Sequence, residues 1–475
     1  MENNQLINET EEQEKRKIIS NQRKLRILNI VYVRFFIFLL YGFFVISLII
    51  PLRPKYSESE KRELARFPKF TASSFFSGKF FEGIGEWYSD TFTFRETLTE
   101  LNARVTGLYG KTDTRIHGTV EKGDDIPEAG ETASSDLQDS SSEQAGAETA
   151  PPETAESSSA AEPPKEKPAE PAPAEPTTQT LGALLINGDT AYEYYNFVRE
   201  TADAYTAAVN RAGQLLNGSA AVYDIIVPTS MGITAPDELT AAINTSDQQK
   251  AINYMYSCIG SAKTVPVYDI LKAHKDEYIY FRTDHHWTAL GAYYAYYSFM
   301  QLKGETPTVL ADYGQRQFPG YLGSFYTSSG KLPQLAANPD TVFAYQPKET
   351  NTAEIHYENG AVANGDIISD MSGSSSKYLT FIKGDRPLEV INNPARTDGS
   401  ACIVIKESFG NAFVPFLVSH YNTVYVVDYR YFSKIDGRGL VQLCADTGAK
   451  EVLFINNISA TRNKTLVADI DSFVR

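Results

Sequence analysis

Apolar runs and polar breaks divide the chain into segments of different character. Residues 35–52 form an uncharged run of 18 residues, and 27–33 extend it towards the N-terminus. At about 1.5 Å of rise per residue, a helix of this length crosses the roughly 30 Å hydrocarbon core of a bilayer. Because Arg53-Pro54-Lys55 follows and offers no small-residue cleavage site, we predict a retained transmembrane helix over 28–52 rather than a signal peptide.

The charges beside this segment do not settle its orientation. Four Lys or Arg residues lie within 15 positions before Phe35, and five lie within 15 positions after Leu52. A short tail, 1–27, followed by a large domain suits a cytoplasmic N-terminus. We therefore expect a single-pass protein of the cell membrane with its C-terminal domain outside the cytoplasm.

Two segments of different composition follow the membrane run. Aromatic residues recur at mixed helical spacing in 56–110, which predicts a juxtamembrane helical stalk over 53–120. Residues 121–180 hold 15 acidic and 3 basic side chains, nine prolines and no aromatic residue. Such a composition buries too little apolar surface to order the chain, so we predict a disordered linker.

The pattern turns globular at residue 181. Apolar, β-branched runs at 220–227, 263–271, 401–408, 422–430 and 450–457 alternate with helix-like stretches. Buried strands that alternate with helices predict an α/β domain over 181–475, with a parallel sheet and helices on both faces. Residues 301–400 are rich in Gly, Ser, Pro and Tyr and are expected to form an insertion or long loop region over one edge of the sheet.

Charge and cysteine usage exclude some functions. The net charge of −15 argues against a nucleic-acid partner, although the predicted linker alone carries −12 of it. Three widely separated cysteines provide neither a disulfide framework nor a CxxC zinc pattern. No cofactor is expected.

The segment Asp284-His285-His286-Trp287 carries candidate chemistry. In an extended segment, side chains two residues apart share a side, so Asp284 could orient the imidazole of His286 while His285 faces away. Helix capping by Thr283 or Asp284 explains the same residues, and a metal site is a third possibility. A zinc site needs a further ligand, and the remaining histidines have no ligand-like neighbours. We therefore predict no metal.

Ser408 follows another apolar run, in Lys406-Glu407-Ser408-Phe409-Gly410-Asn411. A serine between a buried strand and a helix resembles a nucleophile elbow, where helix N–H groups can receive an oxyanion. The Gly-x-Ser-x-Gly pattern is only half kept, and serine is also a frequent N-cap. Asn411, and Asn457 at the end of the last run, are candidate oxyanion donors, although Asn457 also suits a turn.

The stretches TDHHW, VIKESFGNAFVPFL, VVDYRYF, KGDRPLEV and ARFPKFTASSFFSGKF together resemble the DHHW-motif proteins, which are similar to the alginate O-acetylation proteins of the SGNH-hydrolase superfamily. The resemblance implies an SGNH/GDSL-hydrolase-like fold whose Asp-x-His element precedes the serine, a circular permutation of the usual order. It matches Asp284 and His286 to the family's Asp-x-His and Ser408 to its serine. The matched motifs also contain further candidates for oxyanion or substrate contact: Asp385, Asp428 and Arg430.

The resemblance implies a serine O-acyltransferase or esterase that acts on acetyl groups of a cell-surface or secreted polysaccharide, beside a membrane-bound O-acyltransferase. On this hypothesis, His286→Ala abolishes activity and His285→Ala mainly perturbs folding or binding. The rival is a non-catalytic envelope protein of the same fold. It would hold glycan on aromatic side chains of 301–345: Phe318, Tyr321, Phe325 and Tyr326.

Overall fold

The computed structural model describes residues 32, 34–38, 41–42, 56–57, 62–63, 65–71, 74–75, 78–92, 114–130 and 182–475. The chain divides into two compact units, Met1–Asn102 and Ala103–Arg475.

The described strands and helices are numbered here in chain order. The strands are β1 (Tyr56–Ser57), β2 (Arg62–Glu63), β3 (Thr114–His117), β4 (Leu184–Asn187), β5 (Thr190–Glu193), β6 (Ala221–Val227), β7 (Lys263–Thr264), β8 (Gly314–Tyr321), β9 (Asp340–Gln346), β10 (Thr352–His356), β11 (Val362–Asp366), β12 (Leu388–Asn392), β13 (Ala401–Lys406), β14 (Thr423–Asp428) and β15 (Glu451–Asn457). The α-helices are α1 (Lys79–Asp90), α2 (Arg199–Leu215), α3 (Ser230–Ile233), α4 (Asp237–Ala241), α5 (Gln248–Cys258), α6 (Tyr268–Ala273), α7 (Ala289–Lys303), α8 (Ser324–Ser328), α9 (Pro333–Ala336), α10 (Gly410–Leu417), α11 (Leu440–Thr447) and α12 (Lys464–Phe473). Short 3-10 turns lie at Leu310–Asp312, Lys377–Thr380, Val418–His420, Phe432–Lys434 and Ala460–Arg462.

The first unit holds the antiparallel pair β1–β2 and the helix α1. Aromatic edge-to-face contacts hold α1 against the segment before it, with Phe67 on Trp87 at 4.9 Å and Phe70 on Phe80 at 5.2 Å between ring centroids. The helix lies within the predicted stalk.

Most of the predicted membrane segment, 28–52, lies outside the described residues. Residues 32, 34–38 and 41–42 of it are described, and they are helical. Among the described helices, none has both the length and the apolar character needed to span a bilayer.

The second unit is built on an eight-stranded sheet with the order β11-β10-β12-β14-β13-β15-β6-β7. The five strands from β14 to β7 run parallel to one another, and β12, β10 and β11 extend the sheet in antiparallel pairing. The prediction of an α/β domain with a largely parallel sheet is confirmed.

Alternation along β13 explains the two helical layers. All six residues of this strand are buried. Cys402 and Val404 face a core shared with α7 and α10, whereas Ile403 and Ile405 face a second core shared with α2, α5, α11 and α12. A strand buried on both faces needs an apolar side chain at every position, and this sequence provides one at all but the last.

Two details of the sequence prediction differ from the structure. The apolar run 263–271 is not one strand, since β7 ends at Thr264 and α6 begins at Tyr268. Pro266 lacks the N–H that a continued strand would donate. Residues 301–400 do more than cover an edge, because they supply β10, β11 and β12 of the main sheet and the separate pair β8–β9.

The small sheet β3-β4-β5 adds residues from before the predicted linker to this unit. Residues 121–130, placed in that linker by composition, also lie against the domain. Asp124 donates its backbone N–H to the carbonyl of Phe197 over 2.8 Å, and its carboxylate accepts the N–H of Arg199 over 2.9 Å at the start of α2. Ile126 packs on the second core. One apolar side chain and one capping carboxylate thus order a segment whose average composition predicts disorder.

Candidate active site

The turn between β13 and α10 presents Ser408. The strand ends at Lys406 and the helix begins at Gly410, so the serine lies in a tight strand-to-helix connection. A Cβ at Gly410 would approach the Cβ of Lys406 to 2.5 Å, which makes glycine necessary there. The serine is 8 % exposed at the carboxyl edge of the parallel strands, where the ends of β6, β14 and β15 also lie.

The loop that carries the histidines is held by a buried aspartate. Asp340 accepts the backbone N–H groups of Arg282 over 3.1 Å and Thr283 over 2.8 Å, and also the Thr283 hydroxyl over 2.6 Å. The loop is bent rather than extended. Helix α7 is capped by Thr288, whose side chain accepts the N–H of Gly291, so the capping role considered for Thr283 or Asp284 belongs to another residue.

Asp284, His286 and Ser408 form one hydrogen-bonded chain. The Nε2 atom of His286 lies 2.7 Å from the Oγ of Ser408, and its Nδ1 lies 2.6 Å from Oδ1 of Asp284. The same carboxylate oxygen accepts the backbone N–H of His286 over 2.9 Å. The expectation that residues 284 and 286 are neighbours is met, although a bend rather than an extended strand brings them together.

The second oxygen of Asp284 is also engaged. Its Oδ2 accepts the Tyr321 hydroxyl and the Ser324 N–H, each over 2.8 Å. A Cβ at Gly323 would come within 2.2 Å of this oxygen, so the close approach needs glycine. Burial alone would raise the pKa of Asp284, but the charge of His286 and the hydrogen bonds outweigh burial and hold the pKa well below its usual range. The carboxylate is therefore ionised beside the imidazole.

Tyr378 and Trp287 fix the imidazole and the serine turn from two sides. The ring of Tyr378 stacks on His286 with centroids 3.9 Å apart, and its hydroxyl donates to the carbonyl of Ser408 over 3.0 Å. Trp287 donates its Nε1–H to the carbonyl of Phe409 over 2.9 Å. These contacts tie the histidine loop to the serine turn.

His285 does not face away, and this corrects the expectation from alternation. Because the loop is bent, its ring lies 3.7 Å from that of His286 between centroids. Ser324 Oγ accepts its backbone N–H over 3.1 Å and lies 2.6 Å from its Nδ1. The Ser324 hydroxyl can donate to Nδ1, which places the ring proton on Nε2, or accept a proton from Nδ1.

The Nε2 atom of His285 is buried and has no hydrogen-bond partner in the described part of the chain. Burial, together with the charge of His286, lowers the pKa of His285 to about 3, so the ring is neutral at neutral pH. His285 thus presents an unpaired ring nitrogen beside the residues already described.

Ligand atoms of Asp284, His285 and His286 also lie within 4.8 Å of one another, a spacing that could hold a metal ion. Both ring nitrogens of His286 are already bonded, to Asp284 and to Ser408. Nδ1 of His285 is bonded to Ser324. A metal would have to break several of these bonds, so the arrangement fits proton transfer better than metal binding.

The two asparagines considered as oxyanion donors differ in their bonding. Asn411 donates its Nδ2–H to Asp385 over 2.9 Å. Asn457 is fully buried, its Oδ1 accepts the N–H of Ser459, and its Nδ2 has no partner among the described residues. Because β15 is paired with β13 and Ile455 is opposite Lys406, Asn457 lies beside Ser408. The unpaired, buried amide N–H of Asn457 near the serine is thus a hydrogen-bond donor without an acceptor among the described residues.

Glu407 is a residue of this site that sequence reasoning did not assign. Its Oε2 accepts the Ser408 hydroxyl over 3.0 Å and the Phe409 N–H over 3.2 Å, while its Oε1 accepts the Asn457 N–H over 3.0 Å. Burial raises its pKa. The carboxyl group links the serine turn to the end of β15 and is a second acceptor for the serine proton.

The three remaining candidates, Asp385, Asp428 and Arg430, form a buried ion cluster with Lys406. Lys406 Nζ lies 3.1 Å from Asp428 and 3.2 Å from Asp385, and Arg430 lies 2.6 Å and 3.0 Å from the same carboxylates. Burial would raise the pKa of Asp385, but the charges of Arg430 and Lys406 outweigh it and lower the pKa. Since each member is bonded to another, the cluster suits support of the serine turn, and substrate contact by these residues stays a prediction.

The fold and the site together define the class of this protein. It is an α/β protein in which a serine at the end of a parallel strand is hydrogen-bonded to a histidine, and that histidine is hydrogen-bonded to an aspartate. The family model described as DHHW protein matches residues 60–145 and 164–427, and the chain belongs to this family. No curated protein matches the chain in sequence.

Solved structures share the fold. A DHHW family protein from Eubacterium siraeum is 26% identical, with a TM-score of 0.55 over 62% of this chain and 95% of that chain. PatB1 from Bacillus cereus is 21% identical, with a TM-score of 0.51 over 60% of this chain and 98% of that chain. PatB1 with a sulfonyl adduct is 19% identical, with a TM-score of 0.50 over 61% of this chain and 97% of that chain.

Proposed function

We propose that this protein is a serine O-acyltransferase or esterase of SGNH type that acts on acetyl groups of a cell-surface or secreted polysaccharide. The observation that carries the proposal is the chain from Ser408 Oγ to His286 Nε2, 2.7 Å, and from His286 Nδ1 to Asp284, 2.6 Å. A nucleophile, a base within hydrogen-bond reach and a third group that orients the base are the requirements of covalent acyl transfer.

In the first half of the reaction, Ser408 Oγ attacks the carbonyl carbon of an acetyl ester while its proton passes to Nε2 of His286. Asp284 accepts the Nδ1–H of the imidazolium and stabilises its charge. The tetrahedral intermediate collapses, the ester C–O bond breaks, and His286 returns the proton to the leaving alcohol. In the second half, His286 takes a proton from a sugar hydroxyl or water as that oxygen attacks the acetyl-serine. Ser408 then regains its proton.

Three N–H groups are suited to receive the oxyanion. Asn457 Nδ2 and His285 Nε2 are buried without partners among the described residues. The ring of His285 lies 3.7 Å between centroids from the ring of His286, whose Nε2 meets Ser408. The backbone N–H of Ser408 is the third group. Each such donor typically contributes roughly 10²–10³ in rate.

The sequence supports a setting outside the cytoplasm for this reaction. The apolar run at 28–52 supports a single membrane anchor, and the resemblance to alginate O-acetylation proteins supports a polysaccharide substrate outside the cytoplasm. On this proposal, a membrane-bound O-acyltransferase supplies the acetyl groups.

The test uses the full-length chain, p-nitrophenyl acetate and a serine-directed fluorophosphonate. Ser408→Ala should abolish turnover, and the fluorophosphonate should label Ser408 only when His286 is intact. Ser230→Ala is a matched control, because Ser230 is also buried, and it lies in α3. Wild-type turnover by Ser408→Ala, or labelling that survives His286→Ala, would overturn the proposal.

Most of the aromatic residues on which the rival glycan-binding function depends are buried. Phe318, Tyr321 and Phe325 are 2 %, 6 % and 1 % exposed, and Tyr321 is bonded to Asp284. Buried rings cannot stack on a sugar, and only Tyr326 of the proposed set is half-buried.

A further inference from the structure

A cavity of about 390 Å³ lies beside the end of β15, on the side of the small sheet. Its wall includes polar side chains from three segments of the second unit: Thr119, Glu121, Glu193, Tyr194, Ser459 and Arg462. Ligand cavities typically measure roughly 300–1,000 Å³, so this one matches a unit of one or two sugar rings rather than a long chain.

Two buried hydroxyl groups in this wall lack partners. Ser459 is 7 % exposed and Tyr194 is 4 % exposed, and neither side-chain oxygen has a hydrogen-bond partner among the described residues. Buried polar atoms are almost always bonded in native proteins. Two unpaired hydroxyls in the wall of one cavity therefore indicate a ligand with hydrogen-bonding groups.

The charges of the wall disfavour an anion. Arg462 lies 3.1 Å from the carboxylate of Glu193 and also bonds the side chain of Asn196. Its charge is thus neutralised within the wall, and Glu121 adds a carboxylate that has no ion pair with any residue that the structure describes. A carboxylate on the ligand would meet net negative charge, whereas a neutral ligand with several hydroxyls would meet only hydrogen-bonding groups.

A path of hydrogen bonds joins this cavity to the serine. The N–H of Ser459 bonds Oδ1 of Asn457, and the N–H of Asn457 donates to Glu407 over 3.0 Å. Glu407 in turn accepts the Ser408 hydroxyl over 3.0 Å. The wall of the cavity and the nucleophile are therefore parts of one bonded edge of the sheet.

We propose that this cavity is the subsite for a neutral sugar residue of the polysaccharide, next to the residue whose acetyl group reacts. This inference rests on the proposed function and adds to it a substrate class: a glycan of uncharged sugars and not a polyuronate.

Binding is measured by calorimetry with the full-length Ser408→Ala chain, so that no chemistry is required. The probes are cellotetraose and chitotetraose as neutral glycans and tetragalacturonate as an anionic one. We expect at least one neutral probe to bind at least tenfold more tightly than tetragalacturonate. Adding Ser459→Ala should weaken that binding about three- to tenfold, the value of one hydrogen bond. Ser459→Leu should abolish it by filling the cavity.

Ser230→Ala is again the matched control, since its hydroxyl is also buried and unpaired in the described part of the chain but does not line this cavity. Thermal melts establish that each variant is folded. Absence of binding by both neutral probes, preference for tetragalacturonate, or unchanged binding in folded Ser459→Leu would overturn the subsite. If the wild type turns over the acetyl ester but no neutral glycan binds, only this inference is contradicted. If a neutral glycan binds but the wild type does not turn over the acetyl ester, only the proposed function is contradicted.

Discussion

Ser324 holds His285 by two hydrogen bonds, from the backbone N–H over 3.1 Å and to Nδ1 over 2.6 Å. The pair of bonds fixes the ring position, and in the tautomer where Ser324 donates to Nδ1 the ring carries an unpaired N–H on Nε2. Since Ser324 also donates its own N–H to Asp284 over 2.8 Å, one residue orients both neighbours of His286.

His285→Phe should lower kcat on p-nitrophenyl acetate by roughly 10²-fold, because the ring stacking is kept and one oxyanion donor is lost. This revises the expectation from sequence that a change at His285 affects mainly folding or binding. Ser324→Ala should give a smaller loss and should shift the ¹⁵N signals of His285 towards a mixture of tautomers. An unchanged kcat in folded His285→Phe would show that its Nε2–H does not contact the reacting oxygen.

Asn457→Ala and Asn411→Ala should differ in their effect on turnover. The unpaired Nδ2 of Asn457 lies beside Ser408, so its loss should cost roughly 10²–10³ in kcat. Asn411 donates to Asp385, so its loss should lower thermal stability more than turnover. The measurements are kcat and the midpoint of thermal unfolding for each variant. A larger loss of kcat in Asn411→Ala would identify Asn411, and not Asn457, as the oxyanion donor.

Glu389 should make the protein less stable as the pH rises. Both of its carboxyl oxygens are buried without partners in the described part of the chain, and burial raises its pKa from 4.5 to about 8. Between these values the folded protein keeps a proton that the unfolded chain releases, so the free energy of unfolding falls as the pH rises through this window. Glu389→Gln cannot ionise and should melt above the wild type by a margin that grows from about pH 5 to about pH 9.

The exposed residue Glu354, on the neighbouring strand β10, provides the control for this titration. Glu354→Gln shows how the loss of one exposed carboxylate, ion-paired with His356, changes the melting temperature. A constant difference between wild type and Glu389→Gln across the same pH range would show that Glu389 titrates alike in the folded and unfolded chains.

Lys406→Met should destabilise the protein strongly. The ammonium group is fully buried between Asp428 and Asp385, and its removal leaves those carboxylates with Arg430 as their remaining cation. Breaking a buried ion pair from one side typically costs about 3–5 kcal/mol, which urea unfolding measures. Lys434→Met removes an ion pair with Glu358 that is about half exposed, and should cost at most about 1 kcal/mol. Equal losses in the two variants would contradict a supporting role for the cluster.

Local patterns in the sequence were sufficient to predict part of this site. The apolar run before Ser408 predicted a parallel strand with a serine at its carboxyl end, and the spacing of Asp284 and His286 predicted a neighbouring pair. The alternation of side chains along an extended strand predicted wrongly that His285 faces away from His286, because the loop is bent around Asp340.

Other site residues carried no signal of their role at this site, although Tyr321 was named as a candidate for sugar stacking. Tyr321, Ser324 and Tyr378 come from the irregular region 301–400, where no periodicity indicates which side chains are buried. Their roles depend on tertiary contacts, such as the 2.8 Å bond from Tyr321 to Asp284 and the ring of Tyr378 on His286. The strands β10, β11 and β12 of that region likewise depend on the pairing of β12 with β14. Composition does not indicate that pairing.

The bond from Trp287 to the carbonyl of Phe409 joins two segments that are 122 residues apart in sequence. The tryptophan follows the histidine pair directly, and the phenylalanine follows the serine directly. The histidine loop and the serine turn are therefore each shaped to the other, and a graft of the site onto another scaffold should carry both segments as one unit. For the same reason, a substitution at Trp287 should be tolerated best alongside a compensating change in the serine turn.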